Sequence, residues 1–141
     1  MPFEGLNYPE LWKKAEKHYE NGLPGVDLND LVYAANKGKA KLEGLGNPPE
    51  GLEDLWEDLH HMVDLCRDYH IGIYKDISWD MMQKIAGAVA YFVTPFDLVP
   101  DVLPKIGYLD DAAVIQYALK GTRNDLDGYL RWRRERNRHQ A

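Results

Sequence analysis

Hydrophobic residues recur every three to four positions through most of the chain, and this period predicts helices rather than strands. The clearest stripe lies between residues 52 and 69, where polar residues fill the opposite side. A stripe of this width is typical of an amphipathic helix that packs one face against a core. Its apolar members are Leu52, Leu55, Trp56, Leu59, Met62, Val63, Cys66 and Tyr69.

Capping and breaker residues predict two helices before this stripe. Asn7 precedes a periodic segment that Asn21-Gly22 ends, and Asp27 is placed to cap a second segment. Gly38, within the second segment, either closes that helix or lets a neighbouring element approach closely. A cluster of breakers then separates these helices from the rest of the chain, and it consists of Gly44, Gly46, Pro48, Pro49 and Gly51.

The pattern after residue 70 predicts a loop and three further helices. Residues 71–77 are expected to form a loop, because no partner strands are evident elsewhere. Ser78 caps a helix from Trp79 to about Val93 that is apolar on nearly all sides, so we expect it at the centre of the molecule. A fifth helix is expected to end at Gly121, and a last helix to begin at Asn124 or Asp125.

Between the fourth and fifth helices, residues 91–111 combine three prolines with four aspartates. Each proline fixes its own φ and keeps the preceding residue out of the helical region, so the segment predicts a rigid corner. The aspartates stand where helix starts would use them as caps. Two other interpretations stay open, a partner surface and a site for a hard cation such as Mg²⁺ or Ca²⁺. The four aspartates are Asp97, Asp101, Asp110 and Asp111.

The same segment resembles the signature of the YkvA-like family, also described as domain of unknown function 1232. The similarity is strong over roughly residues 84–119, extends back to about residue 55 and is absent from the first fifty residues. It implies a small helical domain, found widely in bacteria and attached to some membrane proteins, with no established reaction or catalytic residues. The residues that carry it are Tyr91, Pro95, Asp97, Leu98, Val99, Pro100, Asp101, Leu103, Pro104, Gly107, Asp110 and Asp111.

These patterns together predict an all-α fold, a compact bundle of five to six helices with the proline-rich corner between the fourth and fifth. We expect one domain over residues 1–141, in which residues 1–48 form an N-terminal helical extension and residues 52–138 the YkvA-like region. A chain of 141 residues with 45% hydrophobic residues is large enough to bury a core of its own.

Composition limits the location and the chemistry. The first residues lack the basic and apolar regions of a signal peptide, and the longest apolar run is too short to cross a bilayer, so we expect a cytoplasmic protein. One cysteine, Cys66, excludes an internal disulfide and a cysteine-based zinc site. Without a nucleophile elbow or a glycine-rich phosphate loop, catalysis is less expected than binding, and no cofactor is predicted.

The side of the third helix opposite its apolar stripe is acidic. Such a face is typical of solvated surface, and the alternative is a docking face for a basic protein. His60, His61 and Asp64 have the spacing of transition-metal ligands, although surface histidines are the simpler interpretation. The candidate partner face consists of Glu50, Glu53, Asp54, Glu57, His61, Asp64 and Asp68.

The C-terminal segment has the opposite charge. Residues 131–138 carry a local charge of +4 within a chain of net charge −6, so the remainder carries −10 and should repel nucleic acid. Because the rest of the chain is acidic, pairing with the acidic helix or a role in solubility is the favoured interpretation of these arginines. The alternative is that, interleaved with Trp132, they bind phosphate or an anionic membrane surface. The arginines are Arg131, Arg133, Arg134, Arg136 and Arg138.

The charge distribution therefore predicts a non-catalytic protein-interaction module, for example an acidic inhibitor or immunity-type protein that docks a basic partner. A peripheral membrane module is the first alternative, because of the apolar fourth helix, the corner and the family's association with membrane proteins. An oxygen-ligand metal enzyme at the corner is the second, and it requires the aspartates to converge on one ion. The sequence does not predict an oligomeric state.

Overall fold

The computed structural model describes residues 8–94 and 107–140, which form α-helices joined by loops and two 3-10 turns. No strand occurs within these ranges, and the predicted all-α class is confirmed. The helices are α1 (Tyr8–Gly22), α2 (Leu28–Leu45), α3 (Trp56–His70), α4 (Trp79–Val93) and α5 (Gly107–Gln140), and the 3-10 turns are Leu23–Gly25 and Glu53–Leu55.

Two helix starts use the caps that the sequence predicts. The Asp27 carboxylate accepts a 3.0 Å hydrogen bond from the amide of Asp30, whose own carboxylate accepts a 2.9 Å bond from the amide of Asp27. The Ser78 hydroxyl accepts a 3.3 Å bond from the amide of Met81 at the start of α4. These side chains satisfy amide groups that have no partner inside the helix, so they fix where α2 and α4 begin.

Helix α4 lies at the centre, as predicted, and packs against each of the other four helices. Gly38 on α2 allows this close packing, because a Cβ there would lie 2.9 Å from Val63 Cγ2 and 3.0 Å from Val89 Cγ1. Of the two roles predicted for Gly38, close approach is therefore the one observed. The buried residues of α4 are Met82, Ile85, Ala86, Ala88, Val89, Tyr91 and Phe92.

The prediction of separate fifth and sixth helices is wrong, because α5 is one helix of 34 residues. Gly121 lies inside it, where a glycine costs about 1 kcal/mol relative to alanine. The buried side chains of Leu119, Leu126 and Tyr129 on either side of Gly121 offset that cost by packing on the core. The Thr122 hydroxyl also donates a 2.8 Å hydrogen bond to the carbonyl of Ala118.

The proline-rich corner falls mostly between the two described ranges. Pro95, Asp97, Pro100, Asp101 and Pro104 lie outside the described residues, so the predicted corner stays a prediction. The N-terminal helices share the core with the remainder, since α2 packs on α3 and α4 and α1 packs on α5. Among the described helices, none combines the length and the apolar character that a bilayer span requires.

Candidate functional site

The predicted acidic face divides into an exposed half and a half that contacts α5. Glu50, Glu53, Asp54 and Glu57, around the start of α3, are exposed to solvent. His61 and Asp64 are half-buried, and Asp68 is only 3% exposed. The placement of Asp68 on a solvent-facing docking surface is therefore wrong, because α5 packs over that side of α3.

Two ion pairs join α3 to α5. Arg123 donates hydrogen bonds of 2.8 and 2.9 Å to the two carboxylate oxygens of Asp58, and Arg133 donates one of 2.9 Å to Asp64. The hydrogen bonds from Arg123 lower the pKa of the Asp58 carboxyl, although partial burial acts in the opposite direction. Arg133 thus makes the intramolecular pairing with the acidic helix that was one interpretation of the basic segment.

Asp68 connects three elements at the C-terminal end of α3. Its carboxylate accepts a 2.6 Å hydrogen bond from the hydroxyl of Tyr129 and longer bonds from Arg67. Its main-chain carbonyl accepts bonds of 3.0 and 3.2 Å from the amides of Ile73 and Tyr74. Burial, followed by the bond to Asp68, raises the pKa of Tyr129. These contacts hold the loop after α3 against α5.

That loop, residues 71–77, carries exposed apolar side chains and is called the isoleucine loop below. Ile71 is 58% exposed and Ile73 is 40% exposed, with Gly72 between them at a φ of 88° that favours glycine. Tyr74 anchors the loop, because its ring centroid lies 5.1 Å from that of Tyr129 and 4.9 Å from that of Trp132. A fixed loop therefore presents two isoleucines to solvent.

The arginine segment, residues 131–138 of α5, lies at the same end of the molecule. Arg136 packs 5.3 Å from the ring centroid of Trp132, the residue that contacts Tyr74. Arg131, Arg134 and Arg138 are exposed, and none forms an ion pair with a residue in the described ranges. At about 100° per residue these three arginines fall within a stripe of about 60°. The segment therefore combines a free basic stripe with an anchored aromatic residue.

Lys41, which the sequence pattern did not single out, contacts Phe92 near the C-terminal end of α4, just before the predicted corner. Lys41 donates a 2.5 Å hydrogen bond to the carbonyl of Phe92, and its ammonium lies 4.4 Å from the centroid of the Phe92 ring. Burial lowers the pKa of Lys41, while the nearby Asp111 carboxylate opposes that shift. Its position between Gly38 and Leu42, which are both buried, was the sign in the sequence that Lys41 lies near the core.

Part of the corner motif can be placed. Tyr91 is buried, with its ring edge-on to that of His18 at 6.0 Å, and Gly107 begins α5. Asp111 is 8% exposed and lies in the early part of α5, and the side chain of Asp110 lies outside the described set. Whether the four aspartates converge on a cation stays untested, since Asp97 and Asp101 are outside the described residues.

The alternative in which His60, His61 and Asp64 bind a transition metal finds no site in the part of the chain that the structure describes. His60 is exposed, and its ring is edge-on to Trp56 at 5.3 Å. His61 acts on Asp58 by helping to lower the pKa of that carboxyl. Over residues 8–94 and 107–140, no three His, Cys, Asp or Glu side chains are grouped as metal ligands would be.

Comparison with known proteins bears on the family and on the location. A family model described as a protein of unknown function (DUF1232) matches residues 84–117. A Bacillus subtilis (strain 168) protein described as "Uncharacterized membrane protein YkvA" is 32% identical over 69 residues, which span 49% of this chain and 65% of that protein. No solved structure gives a significant match. The predicted resemblance to the YkvA-like family is confirmed.

The expected cytoplasmic location is contradicted by the same comparison. The Bacillus subtilis relative is described as a membrane protein. The expectation came from the absence of a signal peptide and of a spanning segment, and neither absence bears on a protein that binds a membrane from one side.

Proposed function

We propose that this chain, which resembles the YkvA-like family and matches its model over residues 84–117, is a peripheral membrane module. It docks on an anionic lipid surface with the isoleucine loop and the arginine segment. The observation that supports this proposal is their position at one end of the molecule, where Tyr74 on the loop packs against Trp132 on the segment.

The isoleucine loop supplies an apolar contribution. Full burial of an isoleucine is worth about 1.5–3 kcal/mol. Ile71 and Ile73 are 58% and 40% exposed, so inserting what remains exposed into the headgroup boundary yields roughly 2 kcal/mol for the pair. Because Asp68 and Tyr74 already hold the loop, little conformational entropy is lost when it inserts.

The arginine segment supplies the electrostatic contribution. A basic residue near an anionic membrane contributes about 1 kcal/mol, so Arg131, Arg134 and Arg138 together contribute about 3 kcal/mol. Combined with the loop, this corresponds to weak, reversible binding that salt weakens. The rest of the chain carries a net negative charge, so an anionic lipid surface favours the orientation that presents the arginine segment.

The relative's description supports membrane association independently of the charge argument. The Bacillus subtilis relative is described as a membrane protein, and its match covers nearly half of this chain. We extend that description to this chain as part of the proposal.

Vesicle flotation tests the proposal. We expect the protein to float with vesicles that contain phosphatidylglycerol and not with pure phosphatidylcholine, and to be released between about 0.1 and 0.5 M salt. Replacing Arg131, Arg134 and Arg138 by glutamine should abolish flotation. The matched control replaces Lys13, Lys14 and Lys17, three exposed lysines on α1, by glutamine, which changes the net charge equally. Equal loss in both variants would show that only net charge matters and would contradict the proposal.

A second candidate is the protein-interaction module expected from the charge distribution. It is supported by the exposed acidic group at the start of α3, which is not paired with the α5 arginines. An inhibitor or immunity-type protein would use such a surface against a basic partner. Affinity capture compares the parent with a variant carrying Glu53→Gln, Asp54→Asn and Glu57→Gln. A basic protein retained equally by both would remove this candidate.

A further inference from the structure

A cavity of about 300 Å³ lies where α1, α4 and α5 meet, and neither the isoleucine loop nor the arginine segment lines it. Its size is at the lower end of the range for small-molecule sites, about 300–1,000 Å³. Its apolar lining comes from Tyr19, Leu23, Tyr117 and Ala118. The membrane proposal does not use this cavity, so its ligand is a separate question.

Two tyrosine rings form a rigid corner in the cavity wall. The centroids of Tyr19 and Tyr117 are 6.0 Å apart, and the planes of the rings are inclined by 84°. The Tyr19 hydroxyl donates a 2.6 Å hydrogen bond to the main-chain carbonyl of Lys84, and the Tyr117 hydroxyl donates to the carboxylate of Glu20. Because both hydroxyls are engaged, the rings keep their orientation, and a flat apolar body would meet one ring face-on and the other edge-on.

The charged residues of the cavity favour an anion. Lys84 and Lys120 line it, and neither ammonium has an ion pair or a hydrogen bond to a residue in the described ranges. The one carboxylate in the lining, Glu20, is bonded to Tyr117. The lining therefore has a net positive charge of one, carried by two ammonium groups that are free to bind a ligand.

Gly121 keeps the space in front of Lys84 open. A Cβ at this position would lie 3.8 Å from Lys84 Nζ and would meet no other atom within 4 Å. A larger side chain there would extend into the cavity without displacing the main chain. Gly121 therefore costs α5 some helix stability while it leaves room for a ligand.

We propose that this cavity binds a small, flat aromatic monoanion, with its ring in the corner between Tyr19 and Tyr117 and its carboxylate on Lys84 and Lys120. The ligand's ring fits the corner that the two tyrosine rings form, and its carboxylate neutralises the excess positive charge of the lining. This site is distinct in position and chemistry from the lipid-facing end of the molecule.

Titration of the full chain with 2-naphthoate tests the proposal. Saturable amide shifts in nuclear magnetic resonance spectra are expected for residues 19–23 and 117–121, with a Kd of about 0.1–1 mM for a ligand of this size. The neutral analogue 2-naphthamide should bind about tenfold more weakly, because it lacks the charge-assisted hydrogen bond. Equal binding of the amide, or tighter binding of octanoate, would overturn the assignment to an aromatic anion.

Two glycine variants separate filling of the cavity from effects on the helix. Gly121→Leu should abolish naphthoate binding without lowering the melting temperature. Gly128→Leu is the matched control, since a Cβ at Gly128 would meet only the Arg131 guanidinium at 3.8 Å, outside the cavity. It should bind like the parent. If Gly121→Leu fails to fold, the variant with Lys84→Gln and Lys120→Gln replaces it. Parent-like binding by Gly121→Leu, or by the double lysine variant, would overturn the proposal.

Discussion

The hydroxyl of Tyr129 on α5 donates a 2.6 Å hydrogen bond to the buried carboxylate of Asp68 on α3. The carbonyl of Asp68 in turn accepts hydrogen bonds from the amides of Ile73 and Tyr74. One residue thus joins a long helix to the loop that carries the exposed isoleucines, so the geometry of the proposed lipid-facing end depends on this contact.

Tyr129→Phe should therefore lower the free energy of unfolding and loosen the attachment of the isoleucine loop to the helices. It leaves one oxygen of the buried Asp68 carboxylate without its hydrogen bond, which costs about 1–3 kcal/mol in the free energy of unfolding. Amide hydrogen exchange at Ile73 and Tyr74 should also become faster than the change in global stability requires. Tyr33→Phe is the control, because Tyr33 is 42% exposed. Unchanged stability in Tyr129→Phe would contradict this role of Asp68.

Two glycine-to-alanine substitutions should have opposite effects on stability. Gly121→Ala should raise the free energy of unfolding by about 0.5–1 kcal/mol, because its Cβ has room and alanine favours the helix. Gly38→Ala should lower it by about 1–3 kcal/mol, since its Cβ would crowd Val63 and Val89. Chemical denaturation measures both. A rise in stability for Gly38→Ala would show that the packing of α2 on α3 and α4 is not as described, and a fall for Gly121→Ala would show that its Cβ lacks room in α5.

Lys41 and Asp111 should be energetically coupled. Lys41→Met removes the hydrogen bond to the Phe92 carbonyl and the charge facing Asp111, so we expect a loss of about 1–3 kcal/mol in the free energy of unfolding. In combination with Asp111→Asn, part of that loss should be recovered, because no uncompensated carboxylate is then left buried. A double-mutant cycle measures the coupling, and strictly additive effects would refute it.

The Asp58–Arg123 pair should make stability depend on pH in acid. Asp58 has a lower pKa in the folded than in the unfolded state, where it is about 3.9. Its contribution is therefore fully present above that value and is lost as the pH falls through the folded pKa. The side chains are 43% and 24% exposed, so the contribution is about 0.5–1 kcal/mol.

Denaturation of the parent and of Arg123→Gln between about pH 2 and 7 measures that contribution. The difference in stability between the two proteins should shrink toward the acid end of this range. Arg138→Gln is the control, because Arg138 has no ion pair within the described ranges. A difference that grows as the pH falls would have the wrong sign for this pair.

Local signals in the sequence were sufficient for two helix starts, those of α2 and α4. Asp27 and Ser78 cap α2 and α4 as predicted, because a cap depends only on residues three positions away. Gly121 was wrongly predicted to end a helix. The helix continues past Gly121 because its buried side chains pack against residues that are distant in sequence. Tertiary contacts overrode the local preference there.

The site was less predictable, because it depends on which helix covers which face. Asp68 follows the period of the acidic face, yet α5 buries it. Leu65, three residues earlier and also buried, was the one sign in the sequence that a second side of α3 packs against another helix. The isoleucine loop was predicted as a loop, but its exposure and its position beside the arginines follow only from the contacts of Tyr74 with Tyr129 and Trp132.

A label on the isoleucine loop tests the central claim most directly. Cys66 is 0% exposed, and burial raises its pKa to about 12, so it should resist labelling in the native protein. An environment-sensitive fluorophore can therefore be attached to Ile73→Cys, or to the control Leu28→Cys at the exposed first residue of α2. The unlabelled parent, treated with the same reagent, gives the background.

Vesicles that contain phosphatidylglycerol and a lipid-borne quencher are then added to each labelled protein. The proposal predicts a blue shift and quenching at position 73, reversed by salt, and no change at position 28. The absence of a response at position 73, or an equal response at both positions, would contradict docking through the isoleucine loop.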